Sequence, residues 1–248
     1  MEQVRISKIL SELGLCSRRE ADKYIEQGLV LVDGKIVHEL GTKAYRSQKV
    51  ELLKKAIKNQ LLKATVILNK PVGFISHLDE QKEFIPASSL IIPDNYNNLK
   101  VRDINSERNP LFNKEGLAPA GRLDIDSSGL LVLTQDGRIA KKIIGEKSAD
   151  IEKEYLVRVE GALADKDLKL LNHGLIVDDY KLKPAKVRWQ NKDQLNFILI
   201  EGRNRQIRKM CELVGLKVHG LKRVRIGNVK LNDLAEGKWR FLNKQESF

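Results

Sequence analysis

The stretch GRLDIDSSGLLVLTQDG, residues 121–137, carries the side chain best placed for chemistry, the carboxylate of Asp124. Gly121 permits a sharp bend before it, and Arg122 puts a positive charge two residues away. Residues 130–133 are all apolar, which predicts a strand that is buried on both faces. A carboxylate at the edge of such a strand is either a turn or salt-bridge residue or a catalytic nucleophile.

Other kinds of catalytic site find no support in the sequence. The four histidines are scattered, without the spacing of paired metal ligands, and the two cysteines lie far apart. Neither a phosphate-binding P-loop nor a Gly-x-Ser-x-Gly nucleophile elbow occurs. We therefore expect no metal site, and carboxylate chemistry at Asp124 remains as the candidate.

The charge of the chain favours a polyanionic partner. Its 248 residues carry 45 Lys and Arg against 33 Asp and Glu, a formal net charge of +12. Eight basic residues and one acidic residue lie between Arg203 and Arg225, a density that favours contacts with phosphates. The chain has no apolar run of about 18 residues and no signal-peptide pattern, so we expect a cytoplasmic protein without a membrane span.

The first sixty residues predict a small unit of two helices and a hairpin. Residues 5–13 place four apolar side chains, the last of them Leu13, on one helix face. Ser17 and Glu20 form a capping-box pattern that opens a second helix, and Asp33-Gly34 is a hairpin turn. The outer faces of the helices are either simply solvated or bind an anion. Their basic residues are Arg5, Lys8, Arg18, Arg19 and Lys23.

The segment LGLCSRREADKYIEQGLVLVDGKIV, within residues 3–55, resembles an RNA-binding module first known from a small-subunit ribosomal protein, the S-four type. The resemblance implies that the five basic side chains of the two helices meet RNA phosphates. Because the module occurs in enzymes and in non-enzymes, it indicates a partner and no reaction. We expect it to span residues 1–58, with the lysine-rich segment 52–64 as linker.

The remainder, residues 59–248, predicts an α+β domain built mainly on antiparallel sheet, since many short strands are joined by hairpin-length turns. Helices are expected at 138–144, at 165–171 and after Asn204, which is expected to cap the last of them. The expected strands are 65–68, 130–133, 153–160, 187–189, 195–201, 217–230 and 239–242.

Four segments resemble, in the same order, the motifs of the RsuA-type family of RNA pseudouridine synthases, which also carries the S-four module. They are LNKPVGFIS at 68–76, the stretch 121–137, KEYLV at 153–157 and EGRNRQIRKMCELVG at 201–215. NRQIRKMCE and the later LKRVRIGNVKL and GKWRFL look most like the RluF branch. The resemblance implies the catalytic fold of this family and a cofactor-free isomerisation. That reaction breaks the uridine glycosidic bond, turns the uracil and rejoins C5 to C1′.

The resemblance also implies roles for three residues. Asp124 matches the nucleophile, which attacks C1′ or stabilises the cation formed there. Tyr155 matches the tyrosine that stacks on the uracil and helps to remove the C5 proton. Arg208 matches the basic residue beside the aspartate, within salt-bridge reach. From the residues alone, Tyr155 could equally fill the core, and Arg208 could pair with Glu212 one helical turn away.

Further RNA contacts follow from the matching motifs. Lys70 and Arg122 are expected either to contact phosphate or to brace Asp124. A uridine inside folded RNA must be flipped into the pocket, and its context would be read by shape. The spacing between Gly73 and Gly121 is longer than is usual in the family, which predicts an insertion at 79–118. The other basic residues expected to bind RNA are Arg203, Arg205 and Lys209.

The sequence thus predicts a monomeric, two-domain RNA pseudouridine synthase that acts on structured large-subunit ribosomal RNA, with a tRNA anticodon loop as second candidate substrate. The main alternative is a non-catalytic RNA-binding ribosome-assembly factor that keeps the fold without the reaction. A fragment of an aminoacyl-tRNA synthetase is disfavoured, because the His-Ile-Gly-His and Lys-Met-Ser-Lys-Ser signatures of those enzymes are absent.

Overall fold

The computed structural model describes residues 2–77, 83–97, 113–145, 151–173 and 175–248. Its N-terminal part surrounds a separate group of buried apolar side chains that runs from Val4 to Ala56. The elements are β1 (Gln3–Arg5), α1 (Ile6–Glu12), α2 (Arg18–Glu26), β2 (Val30–Val32), β3 (Lys35–Val37), β4 (Lys43–Tyr45) and β5 (Val50–Leu52). Strand β1 pairs with β4, and β2 pairs with both β3 and β5.

Most local features expected in this part are confirmed. The Ser17 hydroxyl accepts a hydrogen bond from the N–H of Glu20, and the Glu20 carboxylate accepts one from the N–H of Ser17, which completes the capping box. Asp33 and Gly34 both have positive φ, as the tight turn between β2 and β3 requires. The expected inward position of Leu13 is wrong, because α1 ends at Glu12 and Leu13 is 58% exposed as its C-cap.

The linker is a helix, α3 (Lys54–Leu61), and the expected boundary after residue 58 falls inside it. Ala56 and Gln60 are buried on its inner side. The amide of Gln60 donates a hydrogen bond of 3.2 Å to the hydroxyl of Tyr24 in α2. The lysine-rich segment is therefore packed against the N-terminal part.

A nine-stranded sheet forms the centre of the larger part, in the order β12-β13-β9-β14-β8-β6-β16, with β15 beside β14 and β7 beside β8. Among the described strands every pairing is antiparallel except that of β8 with β14. The predicted α+β class is confirmed. The elements are β6 (Thr65–Lys70), β7 (Ala118–Pro119), β8 (Ser128–Thr134), α4 (Gly137–Ile144), β9 (Lys153–Glu160), α5 (Asp165–His173), β10 (Ile176–Val177), β11 (Tyr180–Lys181), β12 (Lys186–Trp189), β13 (Gln194–Leu199), α6 (Gln206–Leu213), β14 (Lys217–Ile226), β15 (Val229–Lys230) and β16 (Trp239–Phe241).

Strand β8 is buried on both faces, as its apolar run predicts. Leu131 and Leu133 belong to the main core on one side of the sheet, and Leu130 and Val132 belong to a second cluster on the other side. All four side chains are fully buried. The loop that carries Asp124 therefore leads into one of the most enclosed strands of the molecule.

The described portion of the expected insertion packs over the sheet. Two short 3-10 helices, Ala87–Leu90 and Pro93–Asn95, lie there, and Ala87 and Ile91 are buried in the main core. The indole N–H of Trp239 in β16 donates a 2.7 Å hydrogen bond to the carbonyl of Ile92. Residues 79–82 and 98–112 of the expected insertion lie outside the described residues. None of the helices in the described ranges has the length and apolar character needed to cross a membrane.

Glu20 joins the N-terminal part to the larger part. Its carboxylate pairs with Lys63 and accepts a 3.2 Å hydrogen bond from the N–H of Gly137 at the start of α4. Burial raises the pKa of Glu20, but the hydrogen bonds from Lys63, Ser17 and Gly137 outweigh it and lower the pKa to about 2. The ionised carboxylate thus stabilises the contact between α2 and α4.

We expect Glu20→Gln to destabilise the protein by about 2 kcal/mol at pH 7, because a pKa lowered on folding makes the ionised form stabilising. This contribution is complete above the ordinary glutamate pKa of 4.5 and is lost as pH falls towards 2. Urea unfolding of both proteins at pH 7 and pH 3 measures it. Equal destabilisation at both pH values would contradict the assignment.

Candidate active site

A cleft of about 750 Å³ brings together residues from three of the four motif segments. We call it the Asp124 cleft. Tyr155 from β9 and Arg208 from α6 line it together with Asp124. Three further predicted RNA-binding residues line the same cleft, namely Arg122, Arg203 and Arg205. Segments far apart in the sequence thus meet in one cavity.

The loop before β8 is held by the loop that follows β6. The Ser76 hydroxyl donates to the carbonyl of Leu123 at 2.7 Å and accepts from the N–H of Leu123 at 2.8 Å. The N–H of Gly73 donates to the carbonyl of Ile125 at 2.8 Å. These bonds lie on both sides of Asp124, whose side chain is 37% exposed. The first motif therefore positions the Asp124 backbone and leaves its carboxylate accessible.

We expect Ser76→Ala to lower kcat by about tenfold or more, because loss of both bonds frees the loop and small displacements of a reacting group are costly. A destabilisation of about 1–3 kcal/mol should accompany it, since the N–H and carbonyl of Leu123 lose a buried partner. Single-turnover kinetics and thermal unfolding measure the two effects. Ser89→Ala is the matched control, because the exposed Ser89 hydroxyl bonds only the nearby Pro86 carbonyl among the described groups. An equal effect of both substitutions would contradict the proposed role of the two Ser76 hydrogen bonds.

The arginine pairing differs from the expected one. Among the described residues Arg208 pairs with neither Asp124 nor Glu212, and its guanidinium instead lies 3.1 Å from the Asp126 carboxylate and 3.0 Å from the Asp126 carbonyl. Arg205 bonds Asp126 at 3.1 Å and lies 3.9 Å from a carboxylate oxygen of Asp124. The prediction that Arg208 contacts Asp124 is wrong, because the Arg208 guanidinium bonds instead to the carboxylate and to the backbone carbonyl of Asp126.

Asp126 organises the basic side of the cleft. Partial burial raises the pKa of its carboxyl, but the hydrogen bond from Arg205 and the charges of Arg208 and Arg205 outweigh it, so the pKa lies below its usual value. Asp126 is therefore ionised at neutral pH and holds both guanidinium groups at the Asp124 cleft.

Helix α6 begins differently from the expectation. Asn204 does not cap it, and Arg205 stands at the N-cap in a left-handed conformation with φ 50°. Gln206, buried at the first helical position, accepts a 3.0 Å hydrogen bond from the N–H of Arg203 and donates one of 3.2 Å to Glu201. A buried glutamine side chain thus fixes the turn that presents Arg203 and Arg205.

Tyr155 is part of both the core and the cleft wall. It lies in β9, opposite Phe197 of β13 and Arg223 of β14, and is 8% exposed. Most of its ring packs in the main core, while the rest lines the Asp124 cleft. Tyr155 therefore helps to fill the core and also borders the cleft that contains Asp124.

Arg223 is a cleft residue that sequence reasoning missed. It is 3% exposed, and its guanidinium donates to the carbonyl of Leu130 at 2.8 Å and to that of Arg122 at 3.3 Å. Burial and the charge of Arg223 lower the pKa of Lys153, another residue of the wall. Arg223 is one of eight basic residues between Arg203 and Arg225, and nothing in the local sequence distinguishes this buried arginine from the others.

Lys70 does not contact solvent. It is fully buried, and its ammonium group donates to the carbonyls of Pro71 at 2.8 Å and Phe74 at 2.7 Å. Burial lowers its pKa to about 8, although the charges of Asp126 and Asp124 oppose that shift. The expected phosphate contact is wrong in this conformation. Lys70 instead ties together the loop that holds the Asp124 backbone.

The other predicted RNA-binding residues fall in separate places. Arg18, Arg19 and Lys23 line a second cleft of about 1200 Å³ between α2 and the larger part, the α2 cleft. Arg5 is exposed outside both clefts, and Lys8 is 4.0 Å from Glu12. Lys209 lies outside the Asp124 cleft and pairs with Asp178.

The cysteines offer no competing nucleophile. Cys16 and Cys211 are buried, and burial raises the pKa of each thiol to about 12. Both remain protonated at neutral pH. Within the described ranges, no group of three or more His, Cys, Asp or Glu side chains is arranged to hold a metal ion.

Known proteins resemble the chain along almost its whole length. The family described as RNA pseudouridylate synthase matches residues 64–213, and the S4 domain matches residues 4–44. An uncharacterized RNA pseudouridine synthase of Aquifex aeolicus is 37% identical over 99% of this chain and 93% of its own. The dual-specificity RNA pseudouridine synthase RluF of Escherichia coli K12 is 35% identical over 98% of this chain and 77% of its own.

Two further comparisons agree with these. The ribosomal large subunit pseudouridine synthase B of Bacillus subtilis is 32% identical over 98% of this chain and 93% of its own. A crystal structure of a pseudouridylate synthase has a TM-score of 0.61 at 26% identity and covers 96% of each chain. The chain belongs to the RsuA-type family of RNA pseudouridine synthases, isomerases that convert uridine to pseudouridine in RNA.

Proposed function

We propose that this enzyme isomerises one particular uridine in a stem-loop of large-subunit ribosomal RNA, with Asp124 as nucleophile. The observation that carries the proposal is the accessible Asp124 carboxylate in a cleft lined by Tyr155 and several arginines. The name of the Bacillus subtilis relative supports a large-subunit substrate. The dual specificity of RluF supports a second one, for which we propose a tRNA anticodon loop.

The reaction needs no co-reactant, because product and substrate are isomers. The mechanism has two versions. In the first, the Asp124 carboxylate attacks C1′ as the N1–C1′ bond breaks; in the second, the carboxylate stabilises the C1′ cation that forms when this bond breaks. The released uracil turns, C5 bonds to C1′, and any ester to Asp124 is broken in that step. C5 then loses its proton, while N1 ends protonated. We assign to Tyr155 the contact with the uracil ring and assistance in removing the C5 proton.

The arrangement of positive charge supports an extended RNA substrate. Arg122, Arg203 and Arg205 line the Asp124 cleft, in which we propose that a flipped uridine binds. The exposed cations of the α2 cleft would hold phosphates of the flanking stem. We propose residues 1–58 as the RNA-binding domain and residues 59–248 as the catalytic domain of a monomeric, cytoplasmic enzyme.

Mapping pseudouridines in ribosomal RNA and tRNA from cells with and without the gene tests this proposal. We expect one large-subunit pseudouridine to disappear and to return with the wild-type gene, but not with an Asp124→Asn gene. Loss of a tRNA pseudouridine as well would identify the second substrate. Identical maps in both strains would contradict the proposed substrates and would favour a non-catalytic role in ribosome assembly.

A further inference from the structure

Tyr180 stands on the wall of the Asp124 cleft, and the proposed mechanism leaves it without a role. It directly follows the two-residue turn of a hairpin in which Val177 of β10 pairs with Tyr180 of β11. The turn residues Asp178 and Asp179 have φ of 49° and 59°, so both are left-handed, as this kind of tight turn requires. The turn fixes the backbone position of Tyr180.

The ring of Tyr180 carries a stacked arginine. The guanidinium carbon of Arg203 lies 3.1 Å from the ring centroid, and Arg203 lines the same cleft. Tyr180 is nevertheless 38% exposed, and Arg203 is exposed as well. The tyrosine ring and the guanidinium are both planar. In proteins that bind single-stranded or flipped RNA, aromatic rings and guanidinium groups both serve as stacking surfaces for nucleobases.

Both members of this pair are anchored from behind. Lys209 of α6 pairs with Asp178 in the hairpin turn. The Glu201 carboxylate accepts hydrogen bonds from the N–H of Lys183 at 2.9 Å and from Gln206 at 3.2 Å. Gln206 in turn accepts from the N–H of Arg203. The hairpin and the loop before α6 are thereby joined, so the stacked pair is held in place before RNA arrives.

We infer that Tyr180 and Arg203 form a stacking site for a nucleobase that neighbours the target uridine, an inference that rests on the proposed function. Flipping a uridine into the cleft exposes the adjacent bases, and an unstacked base gains a new partner on this pair. Such a surface can stack on the flat face of any nucleobase, and Arg203 adds a positive charge that attracts the RNA strand. Tyr180 would contribute to RNA affinity and to the choice of flipped nucleotide, and not to bond breaking.

The experiment uses full-length protein and an RNA stem-loop that contains the uridine identified by mapping. 2-Aminopurine replaces the nucleotide on either side of that uridine in turn, because its fluorescence is quenched by stacking. Binding titrations and pseudouridine formation are measured for Tyr180→Leu, Tyr180→Phe and Arg203→Gln. Trp189→Leu is the matched control, since Trp189 is also 38% exposed but lies outside the cleft.

We expect Tyr180→Leu to weaken RNA binding by about 5- to 100-fold and to change the quenching at one neighbouring position. Its effect should appear in KM more than in kcat. Tyr180→Phe should keep the wild-type RNA affinity and quenching. Arg203→Gln should show a smaller loss of both than Tyr180→Leu. Trp189→Leu should behave as wild type, and thermal unfolding identifies any variant that has lost its fold.

Wild-type affinity and quenching in both Tyr180→Leu and Arg203→Gln would overturn the stacking site while leaving the proposed function intact. If only Arg203→Gln weakens RNA binding, and wild-type binding depends more steeply on salt than binding by this variant, Arg203 contacts a phosphate. That result would also overturn the stacking site. A wild-type protein that forms no pseudouridine in this RNA would instead overturn the proposed function and, with it, this inference.

Discussion

Asp124→Asn should lower the rate of pseudouridine formation by on the order of 10⁴-fold or more, while RNA affinity changes by less than about threefold. The amide keeps the shape of the side chain but cannot act as the nucleophile or balance the charge that develops at C1′. RNA affinity should persist because, in the proposed function, RNA is bound by the arginines of the Asp124 cleft and by the N-terminal part. Single-turnover assays with saturating enzyme separate the chemical step from binding.

Two other carboxylates provide controls. Asp193→Asn removes an exposed acidic group between β12 and β13 and should leave the rate within about twofold, as is usual for surface changes. Asp126→Asn should lower the rate less than Asp124→Asn, because it frees Arg205 and Arg208 without removing the carboxylate that we propose as the nucleophile. Substantial turnover by Asp124→Asn, or a larger loss in Asp126→Asn, would refute the proposed role of Asp124.

Gly129→Ala should destabilise the protein by about 3–5 kcal/mol, the largest effect on stability that we expect from a single added methyl group. Gly129 has φ of 103°, which side chains rarely adopt. A Cβ at this position would overlap the backbone carbonyl oxygen of Arg223 and would lie 2.7 Å from the backbone nitrogen of Arg223. The parallel contact of β8 with β14 would have to open, which would also displace Arg223 from the loop that carries Asp124.

Thermal unfolding should show a melting temperature lowered by about 10 °C, since one kcal/mol corresponds to roughly 2–4 °C in a protein of this size. Gly237→Ala is the matched control. Gly237 has φ of 76°, and nothing lies within 4 Å of an added Cβ, so only backbone strain of about 1–2 kcal/mol applies. Equal destabilisation by both substitutions would show that the contact of Gly129 with Arg223 has no special importance.

Elements that depend on short-range patterns could be predicted from the sequence. The apolar run at 130–133 predicted a strand buried on both faces, and the capping box at Ser17 and the turn at Asp33 were also correct. Helix ends were less accurate, because they depend on tertiary hydrogen bonds. Arg205 replaces Asn204 at the start of α6, where the buried Gln206 side chain bonds to Glu201 and to the Arg203 N–H.

The sequence by itself determined the family, the reaction class and several of the residues that meet in one cleft, because these depend on residue types within short motifs. Only the tertiary structure decided which groups touch. It pairs Arg208 with Asp126, buries Lys70 among carbonyls, and brings Arg223 to the carbonyl of Arg122, 101 residues earlier. Side-chain type is a local property, whereas a partner depends on the register of distant strands and on the space left after packing. For that reason the position of the loop that carries Asp124 depends on the Ser76 hydrogen bonds to Leu123 and on the Arg223 bond to Arg122, neither of which can be read from the motif itself.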